Sequence, residues 1–308
     1  MAKQLKVGFM VFILIGLLAG CSISKGSSNN GSTETLGENK IDKLVMAYLP
    51  LEGAEGVQQT NDKFQEGLSE IVGVPVEAFQ ATSYNAAIEA MKNNKADMVL
   101  MPPFAYLLGK ERADIEPLAK VESTEKVVSS IIVRSDTKVN SLQDLKDKTF
   151  GFIEASSSSG HLLPKTLILK ELGITLEVLE EEFFKDIKFV GNHESAVIGV
   201  VNGQYDAAAV ASPIPEALVE RGMIDKGSYR IIAQSEPSPG IPFAVRSDLP
   251  QDVKEKVKDY LINFEDTKFI ENLLGLEGAT FVDAQESDYD ILRDVTELLN
   301  MSPEELLQ

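Results

Sequence analysis

From residue 41 onward, apolar residues follow two alternating spacings. Short apolar runs at Lys43–Leu49, Val74–Gln80, Ala96–Met101, Val127–Arg134, Thr149–Ile153, Asp186–Val190, Asp206–Val210, Tyr229–Ala233 and Pro242–Arg246 predict strands. Between them, apolar residues recur every three or four positions. Gln58–Val72, with Phe64, Leu68 and Ile71 on one face, reads as a helix, as do Tyr84–Asn93, Leu162–Leu172 and Ser195–Asn202. Asn94 and Gly173 are the candidate stops of the second and third of these helices. Pro102-Pro103 ends a strand and Leu142–Leu145 is one helical turn. The C-terminal part is helical at Gln251–Phe264, Thr267–Leu274 and Ser287–Leu299. Strands alternating with helices predict an α/β fold with mostly parallel sheets. The sequence shows no internal repeat.

The first forty residues break this pattern. Lys3 and Lys6 precede an almost wholly apolar run from Val7 to Ala19. At ~1.5 Å rise per residue the run is too short for ~30 Å of hydrocarbon. Residues 1–20 therefore read as a secretory signal peptide. It ends in Leu18-Ala19-Gly20-Cys21, which resembles a bacterial lipobox, with cleavage before Cys21 and lipidation of its sulfur. Ser22–Lys40 is rich in Ser, Gly and Asn and has few side chains to bury, so residues 21–40 read as a lipidated flexible tether. The expected location is the extracytoplasmic face of the cell membrane.

Composition narrows the class. With 308 residues, 44% of them hydrophobic, the chain can build a sizeable core as one large or two medium domains. Asp and Glu number 48 against 29 Lys and Arg, a formal charge of −19, which argues against a nucleic-acid partner. One cysteine allows no intrachain disulfide and two histidines no His-rich metal site.

Open α/β sheets bind ligands beyond the carboxyl ends of their strands, which makes the strand-to-helix junctions informative. In Phe150–Pro164 a strand runs into Ser156-Ser157-Ser158-Ser159-Gly160, then into a helix with Pro164 in its first turn. Serine hydroxyls and free helix-end N–H groups there make an anion site without a lysine, or simply a solvated serine cap. The run is neither a phosphate-binding P-loop nor a Gly-x-Ser-x-Gly nucleophile elbow. His193, in Gly191-Asn192-His193-Glu194-Ser195, is either an anion donor at a strand end or a cap. Tyr84, after Thr82-Ser83, is either a ligand donor or a packing residue. Phe104 and Tyr106 follow Pro102-Pro103 at a further strand end, where core packing is the favoured reading.

In order and spacing these junctions resemble the solute-binding lipoproteins of phosphonate, phosphite and phosphate ABC transporters, from about residue 41 to about 300. Ser157-Ser158-Ser159-Gly160-His161-Leu162-Leu163-Pro164 is similar to that family's Ser-Thr-Ser-Gly-aromatic-Leu-x-Pro element, which binds the phosphonate oxygens. Gly191–Ala196 resembles its second signature, whose histidine contacts the anion. Tyr84 matches a ligand tyrosine of the first lobe, and Asn202–Ala207 resembles a family helix end and strand. The sequence departs from the aminoethylphosphonate-binding members at three places. Val127 stands for a second tyrosine, and Pro213 and Ile241 stand for the two carboxylates that hold the ligand amine.

The resemblance implies a two-lobed fold of the periplasmic-binding-protein type (type II-like), with two strands crossing between lobes near residues 130–134 and 242–246. Lobe one would hold residues 41–132 and 245–308, and lobe two 133–244. Tyr84 of lobe one, and Ser157, Ser158, Ser159 and His193 of lobe two, would bind a small phosphorus oxyanion; Tyr106, Val127, Pro213 and Ile241 are candidate cleft lining. The resemblance implies no enzyme activity, no cofactor and no metal. The partners it implies are the ligand, a membrane permease, and the membrane through Cys21. One alternative is a different small solute on the same fold, such as a sulfonate or a vitamin precursor. Another is a serine hydrolase using Ser157 or Ser158 with His193 and Asp206.

Overall fold

The structure, a computed structural model, describes residues 41–49, 54–274 and 276–298. The expected signal peptide, Cys21 and the tether lie outside the described residues, as does the end of the last expected helix.

The chain starts with β1 (Leu44–Tyr48), α1 (Ala54–Val72), β2 (Val76–Gln80), α2 (Tyr84–Lys92), β3 (Met98–Leu100), α3 (Pro103–Ala113) and β4 (Ile115–Glu122). It continues through β5 (Val128–Arg134), β6 (Thr149–Phe152), a π-helical turn (Ser158–Leu162), α4 (Leu163–Leu172), α5 (Leu176–Val178), β7 (Asp186–Phe189), α6 (His193–Val201), β8 (Ala207–Ala211), α7 (Ile214–Glu220) and β9 (Tyr229–Pro237). It closes with β10 (Ile241–Arg246), α8 (Gln251–Ile262), α9 (Thr267–Leu274), β11 (Thr280–Asp283) and α10 (Asp290–Leu298).

These strands form two sheets, one in each lobe. The first has the order β11-β4-β10-β3-β1-β2 and the second β7-β6-β8-β5-β9. Each contains a parallel trio, β2-β1-β3 or β7-β6-β8, bordered by an antiparallel strand, β10 or β5. The sheets are thus mixed rather than mostly parallel. Strands β4, β5, β9 and β10, which flank the passages between the lobes, pair antiparallel, and β11 adds antiparallel to β4. Residues 128–134 pair wholly inside the second sheet and 241–246 wholly inside the first. The passages between sheets are therefore residues 123–127 and 238–240, earlier in the chain than expected at both crossings.

Core lies on both faces of each sheet, as the near-continuous apolar runs of β3, β5 and β8 require. Two elements absent from the sequence reading have physical explanations. α3 is buried over Pro103–Gly109, so it shows no apolar stripe to distinguish it from a strand end. Pro117 disguises β4; it sits past the end of β11 and beside a register shift against β10, where a missing N–H is tolerated. α7 and β11 are short and also escaped the pattern. At the end of α2 the cap is Asn93, and Asn94 takes the left-handed conformation (φ 55°) just beyond it.

Candidate functional site

Three parallel strands carry predicted binding residues where they lead into a helix: β2 into α2 at Tyr84, β6 into the π turn at Ser157–Ser159, and β7 into α6 at His193; β3 leads into α3, which starts at Pro103 and Phe104. β8 leads to Pro213 before α7. The topology therefore gathers the junctions at the two facing sheet ends.

The serine loop is held by its own backbone. Ser157 N–H donates to Glu154 C=O (2.9 Å), closing a tight turn, and Ser157 Oγ accepts from Gly160 N–H (3.0 Å). The first turn is π rather than α: Leu162 N–H donates to Ser157 C=O (3.0 Å). Such wide turns leave more N–H groups without a helical partner than an α turn does. Gly160 permits this geometry, since a Cβ there would fall 2.1 Å from Ile153 Cγ1. Ser156, Ser157 and Ser158 are buried and Ser159 is half-buried. The Ser157 and Ser158 hydroxyls each accept from a backbone N–H, which directs their own protons elsewhere, free to be donated.

Two helix starts of the first lobe reach this loop. Phe104 N–H, at the start of α3, donates to Ser158 Oγ (2.9 Å). Tyr84 N–H, at the start of α2, donates to Glu154 Oε2 (3.1 Å). Leu162 and Leu163 pack into the first-lobe core cluster with Tyr84, Phe104 and Leu107. Burial pushes the Glu154 carboxyl above its ordinary range, partly offset by the Tyr84 N–H.

His193 sits at the carboxyl end of the neighbouring strand β7. Gly191 (φ 86°) turns the chain after β7, and its N–H donates to Ile153 C=O (3.0 Å) at the end of β6. The imidazole then crosses that end: Nδ1 accepts from Ala211 N–H of β8 (3.2 Å). This bond assigns the proton to Nε2, making it a donor. Burial lowers the His193 pKa to about 4, so the ring is neutral at neutral pH.

Tyr84, Glu154 and the serine loop are therefore in contact, and His193 stands at the neighbouring end of β8. The remaining candidates are elsewhere. Tyr106 is fully buried in the first-lobe core on Tyr289 (ring centroids 4.8 Å) and carries no exposed surface to a cleft. Val127 and Ile241 are half-buried and line a small hollow beside the two crossing segments, with Pro239 and Gly240. Pro213 is half-buried before α7. Glu216, near Pro213, and Glu236, near Ile241, are exposed.

A Ser-His-Asp arrangement is not assembled. The Asp206 carboxylate accepts from Thr149 N–H and Oγ1 (both 2.8 Å), and the His193 Nδ1 that would need a carboxylate accepts from a backbone amide.

Sequence reasoning missed Glu154 and the Phe104 N–H. Both act through contacts between lobes, more than fifty residues apart in the chain, which leave no local pattern. It also passed over His161, which is buried edge-on to Phe152 and Phe189 (5.0 and 5.3 Å) with Nε2 unpartnered.

Over residues 46–289 the chain matches the family described as "ABC transporter, phosphonate, periplasmic substrate-binding protein". It is 25% identical over 306 residues to the phosphate-import protein PhnD of Mycolicibacterium smegmatis, covering 92% of this chain and 95% of that one. It is 25% identical over 237 residues to the phosphonates-binding periplasmic protein of Escherichia coli, covering 75% and 68% respectively. Among solved structures it superposes on PhnD1 from Prochlorococcus marinus in complex with methylphosphonate, with a TM-score of 0.72 and 19% identity over 84% of this chain and 98% of that one.

Proposed function

The chain belongs to the family of phosphonate ABC-transporter periplasmic substrate-binding proteins, and from that premise we propose that it captures a small, amine-free phosphorus oxyanion between its lobes and delivers it to a membrane permease. The observation that carries this is the junction of the serine loop with α2, α3 and His193. There, Ser157 and Ser158 hydroxyl protons, Ser158 and Ser159 N–H groups and His193 Nε2–H form a cluster of neutral donors. Hydrogen bonds to a charged group are worth ~1.5–3 kcal/mol each, so neutral donors suffice for an anion.

Tyr84 contributes from lobe one and the serines and His193 from lobe two, so a ligand between them favours lobe closure. Lobe one is the first sheet with its helices and lobe two the second, joined at 123–127 and 238–240. The chain acts by binding, without catalysis, and is held to the membrane by lipid on Cys21.

Selectivity follows from the departures at Val127, Pro213 and Ile241. A ligand ammonium at the last two positions would lose water and meet no carboxylate, and an unpaired buried charge costs several kcal/mol. The test is calorimetric titration of the mature protein with phosphite, methylphosphonate, phosphate and aminoethylphosphonate at equal ionic strength. The first three are expected to bind more tightly than the last. Ser157→Ala with Ser159→Ala is expected to weaken them at least ~10-fold without unfolding the protein. Tighter binding of aminoethylphosphonate, or unchanged affinity in the double variant, would overturn this assignment.

A further inference from the structure

Among the described residues, Glu154 is a carboxylate at the lobe junction whose position the proposed function leaves unused. Its main chain belongs to the serine loop: Ser157 N–H donates to its C=O (2.9 Å). Its side chain crosses to the other lobe and accepts the Tyr84 N–H at the start of α2 (3.1 Å). A ligand spanning Tyr84 and Ser157–Ser159, as proposed above, must lie against a side chain that already spans them. We infer that Glu154 is a specificity-determining residue that shares one proton with the bound oxyanion, so that the site accepts its ligand with a single net charge. The inference rests on the oxyanion reading of the same site.

The charges around the junction lead to this conclusion. Serine hydroxyls, backbone N–H groups and the neutral His193 ring bring no formal positive charge. His161, also neutral, donates Nδ1–H to Ala155 C=O (2.8 Å) and faces Phe152 and Phe189. Lys165 on α4 is bound to Glu180 (2.5 Å). On α2 the nearest ionisable side chain is Tyr84 itself, while Glu89 and Lys92 stand one to two turns further on. Glu154 is acted on by burial and by the Tyr84 N–H, both part of the lobe contact. A doubly charged oxyanion would thus face a half-buried carboxylate with only neutral donors for both. One proton from solvent placed between a Glu154 oxygen and a ligand oxygen replaces that repulsion with a short O–H···O⁻ hydrogen bond. The α2 N-terminus, with about half a unit of positive charge, stays matched to the remaining negative charge.

The experiment counts protons. Full-length mature protein is titrated at pH 8 by calorimetry in two buffers of different ionisation enthalpy, with methylphosphonate and with methanesulfonate, a tetrahedral anion of fixed single charge. The wild type is expected to take up about one proton per methylphosphonate and about none per methanesulfonate. In Glu154→Gln, which can still accept the Tyr84 N–H, uptake with methylphosphonate is expected to fall below about one third of a proton, while Glu154→Asp retains most of it. If the Gln variant fails to fold, Glu154→Ser replaces it as the uncharged variant in the same comparison. Equal uptake in wild type and Gln variant, or none in the wild type, overturns the inference and leaves the oxyanion reading intact. No binding of methylphosphonate by the wild type removes both.

Discussion

Burial keeps both histidines neutral, and this has consequences in acid. Burial, with Lys165 nearby, lowers the His161 pKa to about 3, only partly opposed by its bond to Ala155 C=O; burial alone takes His193 to about 4. Unfolded, each would titrate near 6.5. Below that value the unfolded chain binds protons that the folded one refuses, so the stability of the neutral rings is complete above pH ~6.5 and is lost as the pH falls toward 4. At pH 5 this loss is up to about 2 kcal/mol for one such histidine. His161 stands where the related element has an aromatic residue, and its Nε2 has no partner. His161→Phe is therefore expected to flatten the decline in stability between pH 7 and pH 5 by ~1–2 kcal/mol, read from urea midpoints at both pH values. Equal declines in the two proteins would show that the ring is protonated without penalty. At this scale the serines, Tyr84 and His193 were legible as candidates, because hydroxyls before a helix form a local pattern. It was silent on Glu154, whose meaning lies in a bond to a residue seventy positions away.

Elements were legible where one face differs from the other. α2 shows its apolar stripe and its Ser83 cap, whose hydroxyl accepts from Ala86 N–H (3.0 Å), and it was placed within a residue of its bounds. α3 was missed because every residue of its first two turns is buried, erasing the periodicity. The π turn could not be read from composition: it depends on Gly160 pressing against Ile153, a contact between loop and strand. The expectation of a lipidated leader rests on a different logic, on charge, apolar length and one cysteine. Ser22–Lys40 carries few apolar side chains, so the folded lobes have little to gain from it. Cys21→Ser is thus expected to move the protein from the membrane to the soluble fraction of fractionated cells with an unchanged melting temperature. If detergent is still needed to extract it, a second anchor exists.

For the whole molecule, an anion binder with a formal charge of −19 poses an electrostatic question. The long-range field of such a chain repels an anionic ligand, while the local donors proposed to bind it are uncharged. The two effects differ in range. The helix-end N–H groups and hydroxyls act at contact, where salt screens little. The surface carboxylates act over many ångströms, beyond the ~8 Å screening length at physiological ionic strength. Raising the salt from ~0.02 to ~0.2 M should therefore remove repulsion without weakening the site, and the association rate for methylphosphonate should rise a few-fold. A site built from lysines or arginines would show the opposite trend. The chain has no tryptophan and seven tyrosines, and Tyr84 lies at the lobe junction, so stopped-flow tyrosine fluorescence gives the measurement a direct signal. Sodium chloride supplies the ionic strength, and potassium gluconate at equal strength controls for chloride competing in the site. A rate that falls with ionic strength in both salts would mean that a positive field guides the ligand, and that fixed cations rather than neutral donors dominate capture.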